Sequence, residues 1–239
     1  VSLAKGLEQS TGMRPSEVVT AVAGNVARVF ALSGPSHAEE IAQELPTTVV
    51  LAGHDDAVQR RLQEQLSTPT FRIYRNQDLV GTELCGALKN VMALAAGIAD
   101  GLGYGDNAKA AILARGIVEM VRYGKRAGAD ERTFYGLAGV GDLAVTAFSR
   151  HGRNRAFGER IGRGETLQQA LAASPKVAEG VWTAKALFGP EADLGEVSMP
   201  IAEQVHAILF DGKDPRGAVL DLMNRAPTAE MDGLFGGFG

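Results

Sequence analysis

The hydrophobic pattern of the chain changes near Gln77 and Asp78, and this change limits the folds that the sequence can adopt. Before this point, short apolar runs with β-branched residues alternate with stretches of helical periodicity, which is typical of an α/β sheet. After it, the long segments all have helical periodicity. We therefore predict an α/β domain at residues 1–78, an all-helical domain at residues 79–226 and a flexible tail at residues 227–239.

The same pattern predicts the individual elements. Strands are expected at residues 28–32, 47–51 and 71–74, with helices at 37–44 and 55–66 and Asp55 as the N-cap of the second helix. The second region should form helices at residues 79–102, 107–127, 154–161, 167–173, 181–187, 201–210 and 215–225. Residues 1–6 are interpreted as a strand that runs into a glycine turn, so we expect the chain to begin inside a folded unit.

Composition excludes several function classes. The chain has 239 residues, a net charge of −4 and scattered Lys and Arg residues, so a nucleic-acid partner is not expected. Its apolar stretches are short or rich in Ala and Gly, and no membrane span is predicted. The single Cys85 cannot form an internal disulfide, which suits a reducing cytoplasm, and the four histidines show no metal-ligand spacing.

Two segments of the α/β region could carry chemistry. Lys5 and Gly6 stand at the end of the first predicted strand, where open α/β sheets bind ligands, although a solvated lysine in a turn would look the same. The turn from Ser33 to Ala38 joins a predicted strand to a helix N-terminus, an arrangement that favours anions. Its Ser36 hydroxyl could equally serve only as a helix cap.

The helical region holds a lysine on an unusual surface. A period of 3.6 residues places Lys89 on a face with small residues such as Gly86 and Ala93, so it emerges from a closely packed surface. A carbonyl that is reduced to an alcohol needs a proton donor, and a nearby Lys5 would lower the pKa of Lys89 toward the working range. The alternative is a lysine that simply reaches out to water.

Two further clusters follow. Asp142 ends the glycine-rich segment 138–142, where it could cap a helix, orient Lys89 or bind a substrate hydroxyl. Gly152, Arg153 and Asn154 precede a predicted helix, and a guanidinium together with helix N–H groups suits phosphate, although a plain basic turn remains the alternative.

In their order and amino-acid sequence these motifs resemble NAD(P)-dependent glycerol-3-phosphate dehydrogenase of the bacterial type, and the match spans nearly the whole chain. The residues that carry the resemblance are Lys5-Gly6, Ser33-Gly34-Pro35-Ser36-His37-Ala38, Ala87-Leu88-Lys89-Asn90, Gly139-Val140-Gly141-Asp142-Leu143, Arg153-Asn154-Arg155 and Val177-Ala178-Glu179-Gly180. It implies a truncated Rossmann-type domain followed by the helical domain, a cytoplasmic homodimer, NAD or NADP as cofactor and a role in phospholipid synthesis.

The resemblance also implies residue roles. Lys89 would be the general acid/base. The substrate would be held by Lys5, Gly34, Ser36, Lys89, Asn90, Asp142, Gly152, Arg153 and Asn154, with support from Thr146. The cofactor would contact Lys5, Ala38, Arg153, Val177 and Glu179.

The chain departs from the family pattern in two places. Gly152 stands where many relatives have Ser, which removes a hydroxyl contact. The strand, Gly-x-Gly-x-x-Gly turn and helix that open the family's cofactor domain have no counterpart, because Gly101, Gly103 and Gly105 lie between helices. Two alternatives remain at this stage, a related two-domain hydroxyacid dehydrogenase and a non-catalytic helical dimer, and Arg153-Asn154 favours a phosphorylated substrate over the first.

Overall fold

A computed structural model of the chain shows a small sheet with flanking helices, followed by a helical region. It describes residues 1–24, 28–149, 152–173, 178–189, 192 and 194–230. The predicted fold class, α/β followed by all-α, is confirmed.

The sheet has three strands, β1 (Ala31–Ser33), β2 (Thr47–Ala52) and β3 (Phe71–Asn76), in that order. Strand β2 pairs antiparallel with β1 and parallel with β3, so the sheet is mixed. The strand predicted at residues 1–6 is only partly confirmed, because this segment joins β1 through a single parallel bridge between Ser2 and Ala31. Lys5 therefore lies in an irregular segment beyond that bridge and not in a strand.

The described part of the first region also contains three helices, α1 (Pro15–Ala23), α2 (Ala38–Ala42) and α3 (Asp56–Leu66), of which α3 packs against β2 and β3. Helix α3 is confirmed together with its cap, since the Asp55 carboxylate accepts a hydrogen bond of 3.0 Å from Val58 N. Helix α1 was not predicted, although Pro15 at its first position is a helix-start signal.

The second region contains nine helices among the described residues, and the seven predicted there are confirmed within a few residues. They are α4 (Leu79–Gly101), α5 (Asp106–Arg126), α6 (Glu131–Phe134), α7 (Asp142–Phe148), α8 (Arg153–Gly162), α9 (Leu167–Ala172), α10 (Glu179–Leu187), α11 (Pro200–Phe210) and α12 (Pro215–Met223). The expected glycine turn before Asp142 is instead a π-helical turn, Leu137–Gly141. Of the predicted tail at residues 227–239, residues 231–239 lie outside the described residues.

Helix α4 is the centre of the fold. It begins where the Asp78 carboxylate accepts a 2.8 Å hydrogen bond from Gly81 N, and helices α5, α7, α8, α10 and α11 pack around it. A helix that is apolar on all sides must be buried. By length and composition alone α4 could cross a membrane, yet 94% of its apolar window is covered by the rest of the fold.

Glycines allow α4 and α8 to touch backbone to backbone. A Cβ atom at Gly158 would overlap the Leu94 carbonyl oxygen and lie 3.0 Å from Ile98 N. On the other helix, a Cβ at Gly97 would overlap the Arg155 carbonyl oxygen. Only glycine permits this separation, and the crossing fixes the start of α8 beside the middle of α4.

We predict that Gly158→Ala lowers the free energy of unfolding by about 1 to 3 kcal/mol, because the two helix backbones must separate to admit the methyl group. Gly217→Ala is the matched control. That helical glycine has no atom closer than 3.7 Å to an added Cβ, so the change should be neutral or stabilise by about 0.5 to 1 kcal/mol. Denaturant unfolding of both variants tests the contact, and equal stabilities would contradict it.

Candidate active site

Lys89 lies in the middle of α4 with its side chain only 6% exposed. Its Nζ donates hydrogen bonds to Asp142 Oδ1 at 2.6 Å and to Thr146 Oγ1 at 2.7 Å. Asp142 and Thr146 are one turn apart on α7 and therefore face the same way. The alternative of a lysine that reaches out to water is wrong.

A second lysine shares the Asp142 carboxylate. Lys5 Nζ donates to Asp142 Oδ2 at 2.7 Å and to the Gly34 carbonyl at 3.1 Å. Two ammonium groups from distant parts of the chain thus meet on one buried carboxylate. Asp142 does not cap a helix through its side chain, so that alternative is also wrong.

Burial and the neighbouring charges set the proton affinity of Lys89. Burial lowers its pKa from 10.5 to about 8; the Asp142 carboxylate opposes this shift and the Lys5 ammonium adds to it. The expected influence of Lys5 is therefore present, but burial is the larger cause. A lysine with this pKa can both donate and accept a proton near neutral pH.

A chain of amides ties three helices and Lys5 together. Asn154 Nδ2 donates to Asn90 Oδ1 at 3.0 Å, and Asn154 Oδ1 accepts from Gly180 N at 2.9 Å. Asn90 Nδ2 in turn donates to the Gly86 carbonyl at 3.2 Å and to the Lys5 carbonyl at 3.5 Å. The Asn154 side chain is thus largely occupied within the protein, and its Nδ2 keeps one N–H for a ligand.

Small residues bring the segments of the site close together. A Cβ at Gly86 would lie 3.3 Å from Lys5 Cγ and 3.4 Å from Ser33 Oγ, and one at Gly180 would lie 2.5 Å from the Asn90 carbonyl oxygen. Sequence reasoning did not single out Gly180 or the Ser33 hydroxyl as site groups. For Gly180 the sequence did hold a signal, since a glycine that follows an acid at a helix start permits close backbone approach.

Arg153 and Glu179 form the open side of the site. Arg153 begins α8, Glu179 begins α10, and Arg153 Nη2 lies 3.4 Å from Glu179 Oε1, with both side chains partly exposed. Gly152 is the N-cap of α8, where a Cβ would lie 2.6 Å from the Thr146 carbonyl oxygen. A serine at this position would therefore require the turn to move.

The remaining predicted residues are less closely joined. Ser36 Oγ donates to the Gly34 carbonyl at 2.9 Å, which places it next to Lys5. Ala38 is exposed at the start of α2, outside the hydrogen-bonded cluster. Val177 lies outside the described residues. Within the part of the chain that the structure describes, no three His, Cys, Asp or Glu side chains are grouped to hold a metal ion.

The fold and the site, an α/β region followed by a helical region that holds a buried lysine against a carboxylate, are those of a two-domain dehydrogenase. Comparison with known proteins specifies the family. Residues 1–59 match the family profile described as NAD-dependent glycerol-3-phosphate dehydrogenase N-terminus, and residues 78–220 match the corresponding C-terminus profile.

Individual relatives agree with the profiles. The NAD(P)+ glycerol-3-phosphate dehydrogenase of Chlorobium limicola is 50% identical over 233 residues, which cover 97% of this chain and 70% of that protein. The enzyme of the same name from Thermotoga sp. strain RQ2 is 50% identical over 231 residues, with the same coverage. The crystal structure of glycerol-3-phosphate dehydrogenase from Coxiella burnetii superposes with a TM-score of 0.88 at 39% identity, covering 93% of this chain and 68% of that one. The chain belongs to the NAD-dependent glycerol-3-phosphate dehydrogenase family.

We predict that Asp142→Asn lowers the pKa of Lys89 below 8, because the variant removes the carboxylate charge that favours the ammonium form. NMR titration of isotope-labelled lysine side chains measures this pKa directly. Asp221→Asn is the control, because Asp221 is an exposed carboxylate that pairs with Lys213, and both residues are far in sequence from the site. An unchanged Lys89 titration in Asp142→Asn would contradict the electrostatic description of the site.

Proposed function

We propose that the protein is an oxidoreductase that interconverts sn-glycerol 3-phosphate and dihydroxyacetone phosphate with NAD or NADP. The observation that carries this function is the buried Lys89, held by Asp142 and Thr146 with a pKa of about 8. Among the reactions of two-domain dehydrogenases, the family matches favour this one over hydroxyacid oxidation and over a non-catalytic helical dimer.

Lys89 is the proton donor in the reduction of dihydroxyacetone phosphate. The nicotinamide ring supplies the hydride to the carbonyl carbon when the cofactor is bound. As the carbonyl oxygen gains negative charge, the Lys89 ammonium gives it a proton, and the product is a neutral alcohol beside a neutral amine. In the oxidation direction the same amine accepts the hydroxyl proton.

The cluster around Asp142 keeps this lysine ready for the transfer. The carboxylate orients Lys89 Nζ, and the Lys5 ammonium on its other oxygen limits how strongly the proton is held. A developing alkoxide next to two cationic groups is stabilised in a site with little water. Lys5 also donates to the Gly34 carbonyl, so the cluster extends to the segment that follows β1.

The substrate phosphate is assigned to Arg153 at the start of α8. A guanidinium presents two parallel donors to phosphate, and the helix N-terminus adds backbone N–H groups. Gly152 and the free N–H of Asn154 complete this subsite, while Ser36 and Asn90 line the carbon chain. Position and chemistry support these roles. Arg153 already pairs with one anionic group, the Glu179 carboxylate.

The residues near Lys5 are compatible with a nicotinamide cofactor. A cavity of about 470 Å³ opens beside Lys5, Gly6 and Glu179, and Leu7 and Val18 are among its apolar lining residues. This volume lies in the range of small-molecule sites, and an apolar lining with a few polar groups suits an amide-bearing ring. Of the residues assigned to the cofactor, Lys5 and Glu179 line this cavity. Ala38, Arg153 and Val177 are assigned to the cofactor by the family resemblance.

The wider assignments belong to the same proposal. Residues 1–78 form the part of the chain that binds the dinucleotide, and residues 79–226 form the part that binds the substrate and supports a homodimer. The enzyme acts in the cytoplasm without a membrane span, where its product supplies the glycerol phosphate of phospholipids.

We predict that Lys89→Met in the full-length enzyme lowers kcat by roughly 10² to 10⁴ in both directions, because the positioned acid/base is lost. Methionine fills a similar volume and suits a helix, so the thermal midpoint should change little. Lys185→Met, at an exposed lysine on α10, is the control and should keep kcat within about twofold. If kcat of Lys89→Met falls less than about tenfold with the fold intact, the proton comes from another group, and Lys5 is the next candidate.

A further inference from the structure

The turn that leads into Asp142 has an unusual geometry. Residues Leu137–Gly141 form a π-helical turn between α6 and α7, and Gly141 N donates to the Gly136 carbonyl five residues earlier at 3.2 Å. A π-turn holds one more residue than an α-turn, so it rotates everything after it by about 100° relative to a continuous α-helix. Such turns are rare and are frequently found at functional sites.

Gly139 is the residue that makes this turn sterically possible. A Cβ atom there would overlap the carbonyl oxygen of Phe134 and lie 2.6 Å from the Phe134 Cα. These are backbone atoms, so no rotamer change of a neighbouring side chain can relieve the overlap.

Phe134 itself has no room to move. Its side chain is completely buried, and its ring packs so closely on α5 that a Cβ at Gly124 would overlap the ring. A side chain at position 139 must therefore displace the turn and not its neighbour. Because the turn ends at Asp142, the displacement passes directly to the carboxylate and, one helical turn later, to Thr146.

We propose that Gly139 is a positioning residue for the proton transfer, since it permits the π-turn that aims Asp142 and Thr146 together at Lys89. This inference rests on the function proposed above. It assigns a role to a glycine that contacts neither lysine. It also accounts for how two side chains of α7 both come within 2.6 and 2.7 Å of Lys89 Nζ.

Gly141 provides a matched control within the same turn. A Cβ there would meet nothing closer than 3.7 Å, and its φ of −61° is an ordinary helical value. Gly139→Ala and Gly141→Ala therefore add the same methyl group two residues apart, one against rigid backbone and one into ordinary van der Waals contact.

The experiment compares the two variants by three measurements on the full-length enzyme. NMR titration of labelled lysines gives the pKa of Lys89, assigned with Lys89→Met, and steady-state kinetics and thermal unfolding give kcat and stability. In Gly139→Ala we expect the Lys89 pKa to fall by about one unit and kcat to fall by at least about tenfold, because the Asp142 charge moves away. Gly141→Ala should keep the wild-type pKa and kcat within about twofold.

A second variant covers the case in which Gly139→Ala does not fold. Deletion of Val140, which is 42% exposed, removes the extra residue of the turn and should likewise lower the Lys89 pKa in a folded protein. An unchanged Lys89 pKa in either folded variant overturns the inference, as does failure of both variants to fold, which would make the turn a stability element only. If the wild-type enzyme lacks turnover with dihydroxyacetone phosphate, the proposed function fails, and the pKa comparison still decides whether Gly139 positions Asp142.

Discussion

The structure depends on one buried interaction, the contact of the Lys89 ammonium with the Asp142 carboxylate. A charge inside a protein is costly unless a partner and hydrogen bonds compensate it. Here burial lowers the pKa of Lys89 to about 8 and Asp142 keeps it from falling further. The same carboxylate brings in Lys5, so the segment before α1 and helices α4 and α7 are held at one point. The proposed proton chemistry rests on this shared carboxylate.

Close backbone packing makes this meeting of Lys89, Asp142 and Lys5 possible. The glycines of α4 and α8 let the two helices touch, which places Asn154 against Asn90 and carries the amide chain to the Lys5 carbonyl. Gly139 permits the turn that leads into α7. Lys89, Asp142 and Asn154 are thus held by helices, whereas Lys5 reaches the cluster from an irregular segment.

The sequence predicted the helices of the second region well, because their 3.6-residue period is long and regular. It also identified Lys5, Lys89 and Asp142, although the resemblance supplied their roles. The π-turn could not be predicted, since the Gly-Val-Gly segment before Asp142 fits an ordinary turn equally well, and the close approach of Gly139 to the Phe134 backbone is visible only in the structure. The sequence did predict a lowered Lys89 pKa through Lys5, but not that burial is the larger cause, because burial depends on neighbours distant in the chain.

The most direct test is a crystal structure of the full-length enzyme with NAD+ and dihydroxyacetone phosphate, a complex that cannot react. The decisive quantity is the distance from Lys89 Nζ to the substrate carbonyl oxygen. We predict a hydrogen bond of about 2.6 to 3.2 Å, with Asp142 still in contact with Lys89. A carbonyl oxygen beyond hydrogen-bond reach of Lys89, bound instead by Lys5 alone, would contradict the central role given to the buried lysine.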